Sequence, residues 1–344
     1  MHKNKYLKEL KISKTQKKGG SNSRKEVAKI QSWLCLHAHM NSGTGTMTGI
    51  DGDFGPATQR AVKNFQKAKR ISETGEVSQT VFDKLSAPMK NAYEYDTKKS
   101  TLRKTIVAVA EQHLKQNARE LTINGQSNSG PWVRAYMDGH EGTPWFWCMG
   151  FVQAIIDQAF TIHGQSFKEM MPLTYSCDVV GMKGIEHGCL MRYLTVRTSP
   201  QDVKPGDIVL VRKTKYDWTH TAIVTEVHGS TFTTIEGNTN LAGSRNGLGV
   251  FKRIRNFRNS KLEIFSIKKW VMDLDFELKT VRLKSRGDVV RFLEEKLVEI
   301  GYHNVIVSNY FGNSTYDAVL DFQRKNNLFD DGIVGPKTWT VLLG

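Results

Sequence analysis

The chain has four cysteines, and one of them stands where a thiol can do chemistry. Cys148 lies in PWFWCMGFVQAIIDQAF, residues 144–160, at the predicted start of a helix. Phe151, Val152, Ile155, Ile156, Ala159 and Phe160 form the apolar face of that helix. The macrodipole and free N–H groups of a helix N-terminus stabilise a thiolate. The same N–H groups can hold the oxyanion formed when a thiolate attacks an amide carbonyl. Taken alone, a cysteine in such a helix is more often a small core residue than a nucleophile, so the assignment turns on whether the chain supplies a base. Residues 219–227 alternate as a strand, with Thr221, Ile223, Thr225 and Val227 on one face and His220, Ala222 and Val224 on the other. Residues 231–238, TFTTIEGN, read as a further strand on which Glu236 and Asn238 share a face. A histidine at a strand start, beside a strand carrying a carboxylate and an amide, is a base with its orienting group.

These residues need elements to hold them. Residues 203–211 read as a turn running into a strand. Leu102, Ile106, Val109 and His113/Leu114 mark an amphipathic helix, Asn124–Gly130 reads as a loop, and residues 91–100 read as a linker. The remaining cysteines are too few for a disulfide framework. Cys177, His187 and Cys189 could supply three metal ligands, but without the fourth ligand and close spacing of a zinc site; Cys177 and Cys189 read as buried or merely local thiols. The D-x-D-x-D-G calcium pattern is missing, and Asp51-Gly52-Asp53 belongs to a repeat. No cofactor or metal is expected.

That repeat spans both ends. Shifted by 257 positions, Asp53–Leu85 lies on Tyr310–Leu342 without a gap, with ten identities in 33 positions. Duplication is the economical explanation. Thr58 or Thr315 opens a helix with apolar positions at Ala61/Val62/Phe65 or Ala318/Val319/Phe322. A glycine turn follows at Gly75 or Gly332, then a helix carrying Phe82/Leu85 or Trp339/Leu342. Upstream, Val27/Ile30/Leu34 and Val290/Leu293/Leu297 mark a third helix. The first copy has a longer loop, His39–Gly49, and the second has Glu294 where the first has Gln31.

The pattern Q-x-x-L, [DY]-F-G-x-x-T-x-x-A-V-x-x-F-Q, G-x-V-x-x-x-x-[FW]-x-x-L resembles the peptidoglycan-binding domain of cell-wall hydrolases. A helix-borne cysteine followed by P-G-D-[IV]-V, H-x-A-I-V and I-E-G-N resembles the CHAP family of cysteine amidases and peptidases, related to NlpC/P60. The resemblance implies Cys148 as nucleophile, His220 as general base and then acid, Glu236 as the residue orienting His220, and Asn238 as an auxiliary polar residue. Trp147 matches the aromatic residue usual before the nucleophile. Trp147, Trp145 and Trp218 are expected to bind substrate, and Trp132 and Phe146 to join the cleft or the core. Met149 and Thr219 depart from the alanine and glycine common at those positions. The implied fold is multidomain: a central α+β papain-like domain with a small antiparallel sheet, flanked by two three-helix domains. The expected boundaries are a basic tail at 1–22, a peptidoglycan-binding domain at 23–90, the hydrolase domain at 100–272 and a second binding domain at 280–344.

The net charge of +15 is uneven: residues 1–29 hold ten Lys/Arg against two acids. Such a segment suits an anionic surface or stays a solvated tail. Zinc-finger spacing and RNA-binding aromatics are missing, so no nucleic-acid partner is expected. Met1–Gly20 has no apolar stretch behind it, so a secretory h-region is not expected there. A monomer acting on peptidoglycan after release by another factor is expected. Three functions are open: a phage-type endolysin, a contact-delivered antibacterial effector with the same chemistry, and a non-catalytic wall-binding protein.

Overall fold

The computed structural model describes residues 1–97, 101–240, 246–271 and 278–343. The chain divides into two compact units, residues 1–271 and 272–344. The first unit begins with a short helix, α1 (Tyr6–Glu9), and the first helical repeat, α2 (Arg24–Met40), α3 (Pro56–Ala68) and α4 (Gln79–Tyr93). Then come α5 (Leu102–Lys115), a hairpin of β1 (Leu121–Ile123) and β2 (Gln126–Ser129), α6 (Pro131–Tyr136), α7 (Cys148–Ile162), α8 (Cys177–Glu186), β3 (Leu190–Met191) and α9 (Tyr193–Thr198). The remaining strands are β4 (Ile208–Arg212), β5 (Trp218–His228), β6 (Thr231–Thr239), β7 (Gly249–Asn256) and β8 (Leu262–Phe265). They form an antiparallel sheet of order β3-β8-β4-β5-β6-β7.

The alternation seen along β4 and β5 separates two cores. Ile208, Leu210 and Ile223 join the main core with α5 and α7, whereas Val209, Ala222 and Val224 pack with Val196, Phe257 and Ile264. Helix α7 is buried nearly all round, including Gln153, Asp157 and Gln158, as befits a helix enclosed on every side. A register shift between Val224 and Glu226 breaks the alternation, so Val227 packs on the side of Val224 rather than with Ile223. The predicted loop Asn124–Gly130 is mostly the β1–β2 hairpin. Its two-residue turn is Asn124-Gly125, with φ of 51° and 76°, the left-handed pair a type I′ turn requires.

Two expected boundaries change. Residues 91–93 complete α4, with Tyr93 buried between Tyr6 and His113, while 98–100 of the predicted linker lie outside the described residues. Residues 1–22 are a packed strap rather than a solvated tail. The His2 and Lys3 amides donate to the Asp157 carboxylate (3.1 and 2.8 Å), and the buried Lys3 ammonium pairs with Asp138 at 2.7 Å. Glu9 receives both arms of the Arg134 guanidinium. Gln16 bridges Val77, and in the second repeat Val281 bridges Val334 in the same way. The first repeat therefore starts several residues before position 23.

The second unit contains α10 (Asp288–Glu299), α11 (Asn313–Lys325) and α12 (Pro336–Leu342) around Val290, Leu293, Leu297, Phe311, Val319 and Trp339. The repeat identities have structural causes. The Gln66 and Gln323 carboxamides accept from the Gly75 and Gly332 amides (2.8 and 2.9 Å), clamping the turn after the helix. Gln31 receives the Asp51 and Gly52 amides and donates to Thr58. Glu294 receives the Ser308 and Asn309 amides and the Thr315 hydroxyl, so the substitution preserves the junction.

Candidate active site

Cys148 is the first residue of α7. The first intrahelical bond runs from Phe151 N to Trp147 O (2.9 Å), so the preceding N–H groups remain those of an open helix N-terminus. Helix α7 packs on β5 and β6. Its approach to β6 depends on Gly237, where a Cβ would lie 2.6 Å from the Phe151 Cβ. The glycine of I-E-G-N thus lets the Glu236 strand reach the cysteine helix.

His220 is 1 % exposed and its Nε2 lies 2.8 Å from Glu236 Oε2. That leaves Nδ1, which has no aligned hydrogen-bond partner among the described residues, as the ring nitrogen for the thiol. Glu236 is itself held on both oxygens. Oε1 accepts from Thr234 Oγ1 and Arg255 Nε, each at 2.7 Å, and Oε2 accepts from Arg255 Nη2 at 2.6 Å as well as facing His220. A carboxylate so bound fixes the imidazole's orientation and stays charged. Burial pushes the Glu236 acid upward, but His220 and Arg255 outweigh it and hold it at about 2. For His220, burial works downward and is outweighed by Cys148 and Glu236, giving about 9.

The Cys148 thiol is held well below its ordinary range. The largest influence is a hydrogen bond from Cys177; burial opposes it, and His220 and the Met149 N–H add to it. Cys177, the first residue of α8, is pushed well above its ordinary range by that contact and by burial. It therefore remains a protonated donor to a thiolate at Cys148. Helix α8 is tied to the histidine strand by the Trp218 N–H, which donates to Asp178 Oδ1 at 2.6 Å. From the sequence Cys177 reads as a buried or merely local thiol; it is buried, and its Ser176 cap, accepting from the Asp178 and Val179 amides, is the signal that it opens a helix. Replacing Cys177 with alanine should raise the Cys148 pKa and move the acidic limb of kcat/KM to higher pH, while Cys177→Ser, which keeps a donor, should move it less. Profiles on a soluble substrate would check this, and an unmoved limb in the alanine variant would remove Cys177 from the account.

The other predicted site residues fare differently. Asn238 takes φ of 55° inside a register shift between Glu236 and Thr239, so it does not simply share Glu236's face. Its Oδ1 accepts from Gly247 N at 3.2 Å. Trp147 is wholly buried, stacks on Tyr136 and donates its indole N–H to Glu120 Oε2 at 2.8 Å. Trp218 is 3 % exposed, donates to Glu263 Oε2 and covers Gly181. Both are core residues whose N–H found a buried carboxylate, and neither offers a face to substrate. Trp132 is also core. Trp145, half-buried against His140 and Tyr175, and Phe146, about half exposed, remain as surface aromatics beside Cys148 in sequence. The P-G-D aspartate is structural: Asp207 receives Arg103 and the Ile267 and Lys204 amides. Cys177, His187 and Cys189 do not form a metal-binding group, and no cluster of three or more candidate ligands occurs among the described residues. No helix among these residues is long and apolar enough to cross a membrane.

Fold and site define a class: a domain with a cysteine at a helix N-terminus and a histidine–carboxylate pair on an antiparallel sheet, between two helical repeats. Residues 138–238 match the CHAP domain family, and residues 23–85 and 286–342 match the family described as a putative peptidoglycan binding domain. The chain thus contains a CHAP domain flanked by two peptidoglycan-binding domains. It is 38% identical over 52 residues to N-acetylmuramoyl-L-alanine amidase CwlM of Mycobacterium tuberculosis, a match covering 15% of this chain and 13% of that one. It is 44% identical over 57 residues to an uncharacterized protein in the bpoA1 3′ region of Kitasatospora aureofaciens, covering 16% of this chain and 48% of that protein. The chain therefore spans less than half the length of either relative. Among solved structures, a peptidoglycan-binding protein from Clostridioides difficile in complex with glutamine hydroxamate aligns over 44% of this chain and 89% of that one, at 22% identity and a TM-score of 0.19.

Proposed function

We propose that the protein is a peptidoglycan hydrolase that cleaves an amide bond through a Cys148 thioester. The observation that carries this reading is the buried Cys148–His220–Glu236 arrangement, with Glu236 fixed by Arg255 and Thr234. In the resting site the thiolate and imidazolium coexist. Cys148 Sγ attacks the amide carbonyl, and N–H groups at the start of α7 receive the developing oxyanion. His220 gives its proton to the leaving amine as the C–N bond breaks, leaving a thioester. Neutral His220 then takes a proton from water, whose oxygen attacks the thioester carbonyl and releases the acid and the thiolate. Arg255 and Thr234 are positioning residues acting through Glu236.

The bond is either the N-acetylmuramoyl-L-alanine amide or a peptide bond in the stem or cross-bridge. Mass spectrometry of digested peptidoglycan separates them: free lactyl carboxylates with released stem peptides mark the first, new termini within the stem or cross-bridge with the lactyl–L-alanine link intact mark the second, and intact muropeptides would overturn the hydrolase reading. The protein acts on the bacterial wall as a monomer after release by another factor, as a lysin or a delivered effector. A cleft of about 760 Å³ lined by Lys5, Lys8, Arg24 and Lys25, with the acids Glu9, Asp51, Asp138 and Glu141 also in its wall, keeps an excess of cations that an anionic wall polymer would meet. Removing residues 280–344 should weaken adsorption to insoluble wall while leaving turnover of a soluble muropeptide within a few-fold of the parent, since linked binding raises local concentration without touching the chemistry. Sedimentation and soluble-substrate kinetics check the two arms.

A further inference from the structure

The duplicated modules differ at one place. Twenty-two positions separate Gln31 from Asp53, but only sixteen separate Glu294 from Tyr310, so the first copy carries six additional residues. Its helix α2 runs on to Met40, whereas α10 stops at Glu299. The additional chain folds back onto α3. Thr46 is fully buried, and its hydroxyl meets His37 Nδ1 at 3.1 Å. Asn64 donates to Gly45 O at 2.8 Å, and the His37 ring stands edge-on to Phe65 with centroids 5.0 Å apart. Burial pushes His37 down to about 4, aided by Lys69, so this plug is neutral at ordinary pH.

In the second copy the same helix face is open. Asp321 and Phe322 correspond to Asn64 and Phe65, and Ile300 takes the place of His37. The short loop after α10 meets α11 through Tyr302 and bounds with it a cleft of about 820 Å³. Tyr302 and Asn304 line the loop side, and Asp317, Ala318, Asp321 and Lys325 the helix side. The Tyr302 hydroxyl donates to Asp321 Oδ2 at 2.8 Å, and Lys325 Nζ lies 2.7 Å from the same oxygen. This wall combines an aromatic ring, an amide, two carboxylates and an ammonium. A ligand with N-acetyl groups and a short peptide bearing both carboxylates and an amine matches that mixture; a polyphosphate chain would meet the two acids.

We propose that the cleft between Tyr302 and the Asp317–Lys325 face of α11 is the site that binds the peptidoglycan glycan–peptide, and that the first copy, plugged by its own loop, does not bind ligand on the equivalent face. The first copy acts instead as a buttress. Trp33 packs edge-on to Trp132 with centroids 6.2 Å apart and donates to Glu9 O, and Tyr6 stacks on Tyr93. The substrate class rests on the hydrolase reading above; the choice of copy and face rests on the loop alone.

The test uses the full chain carrying Cys148→Ala, so that wall is not digested during binding. Asp317→Ala with Lys325→Ala alters two exposed side chains and should weaken adsorption to purified insoluble peptidoglycan by about ten-fold or more. Arg60→Ala, at the position matching Asp317 in the first copy, should leave it unchanged. A soluble N-acetylated disaccharide–tetrapeptide should compete the parent off the wall. Parent-like adsorption of the cleft variant with an unchanged melting curve, loss of adsorption from Arg60→Ala, or no competition would each overturn the assignment. Turnover of the soluble muropeptide by the Cys148 protein is measured separately. If turnover is nil while the cleft variant loses adsorption, the hydrolase reading fails and the binding site stands.

Discussion

Replacing Cys148 with alanine is expected to lower peptidoglycan hydrolysis by about 10⁴-fold or more, because the nucleophile and its charge partner act as one unit. Adsorption to wall should be unchanged, since neither repeat uses this residue. Cys148→Ser is expected to be nearly as inactive. A hydroxyl is far harder to ionise than a thiol, and a site that stabilises a resting thiolate beside an imidazolium is matched to sulfur. The measurement is release of soluble fragments from insoluble wall, with binding assayed in parallel. Hydrolysis by the alanine variant at the parent rate would remove Cys148 from the mechanism, whatever its geometry.

The second large effect is expected from Glu236→Gln. This change keeps the shape but removes the charge that His220 and Arg255 share. The His220 pKa, pushed up to about 9 in part by Glu236, should fall, and the alkaline limb of kcat/KM should move from near pH 9 to lower pH. The rate at the optimum should drop by about 10²–10⁴-fold, the contribution of a correctly positioned general acid–base group. Stability should change as well. Arg255 is largely buried and would lose its partner, at a cost of about 3 kcal/mol.

The pH dependence of parent stability follows from the signs of the shifts. Glu236 is held at about 2, below its ordinary 4.5, so its contribution is present above about pH 4.5 and is lost as pH falls toward 2. His220 is raised from 6.5 to about 9, so its contribution is full below about pH 6.5 and is lost as pH rises through 9. Denaturant titrations across pH 3–10 should show the parent losing stability on both sides and the Glu236→Gln variant losing the acid-side dependence. An unmoved alkaline limb in that variant would mean that the limb belongs to a group other than His220.

The order of the elements carrying Cys148, His220 and Glu236 was legible in the sequence. The apolar period after Cys148, the alternation around His220 and the duplicated F-G-x-x-T-x-x-A-V-x-x-F-Q pattern are local signals, read over one helix or one strand at a time. So the helix start at Cys148, the two strands and both three-helix repeats lie where the pattern places them. Local patterns carry no information about which distant segments approach. Cys177 lies 29 residues from Cys148, and Arg255 lies 19 residues beyond Glu236 on the next strand; only the packing of α8 and the β6–β7 pairing bring them to the site. The tryptophans show the same limit. Trp147 and Trp218 are aromatic residues close in sequence to Cys148 and His220, and whether they face a cleft or the core depends on Glu120 and Glu263, carboxylates far away in sequence that only the tertiary fold supplies. By itself, then, the sequence determined the helix that carries Cys148 and the strands that carry His220 and Glu236, because helix and strand periodicity are short-range properties. The tertiary structure decided which groups tune the thiol, which aromatics are core and which repeat stands open, because each of those depends on what packs against a residue rather than on its neighbours in the chain.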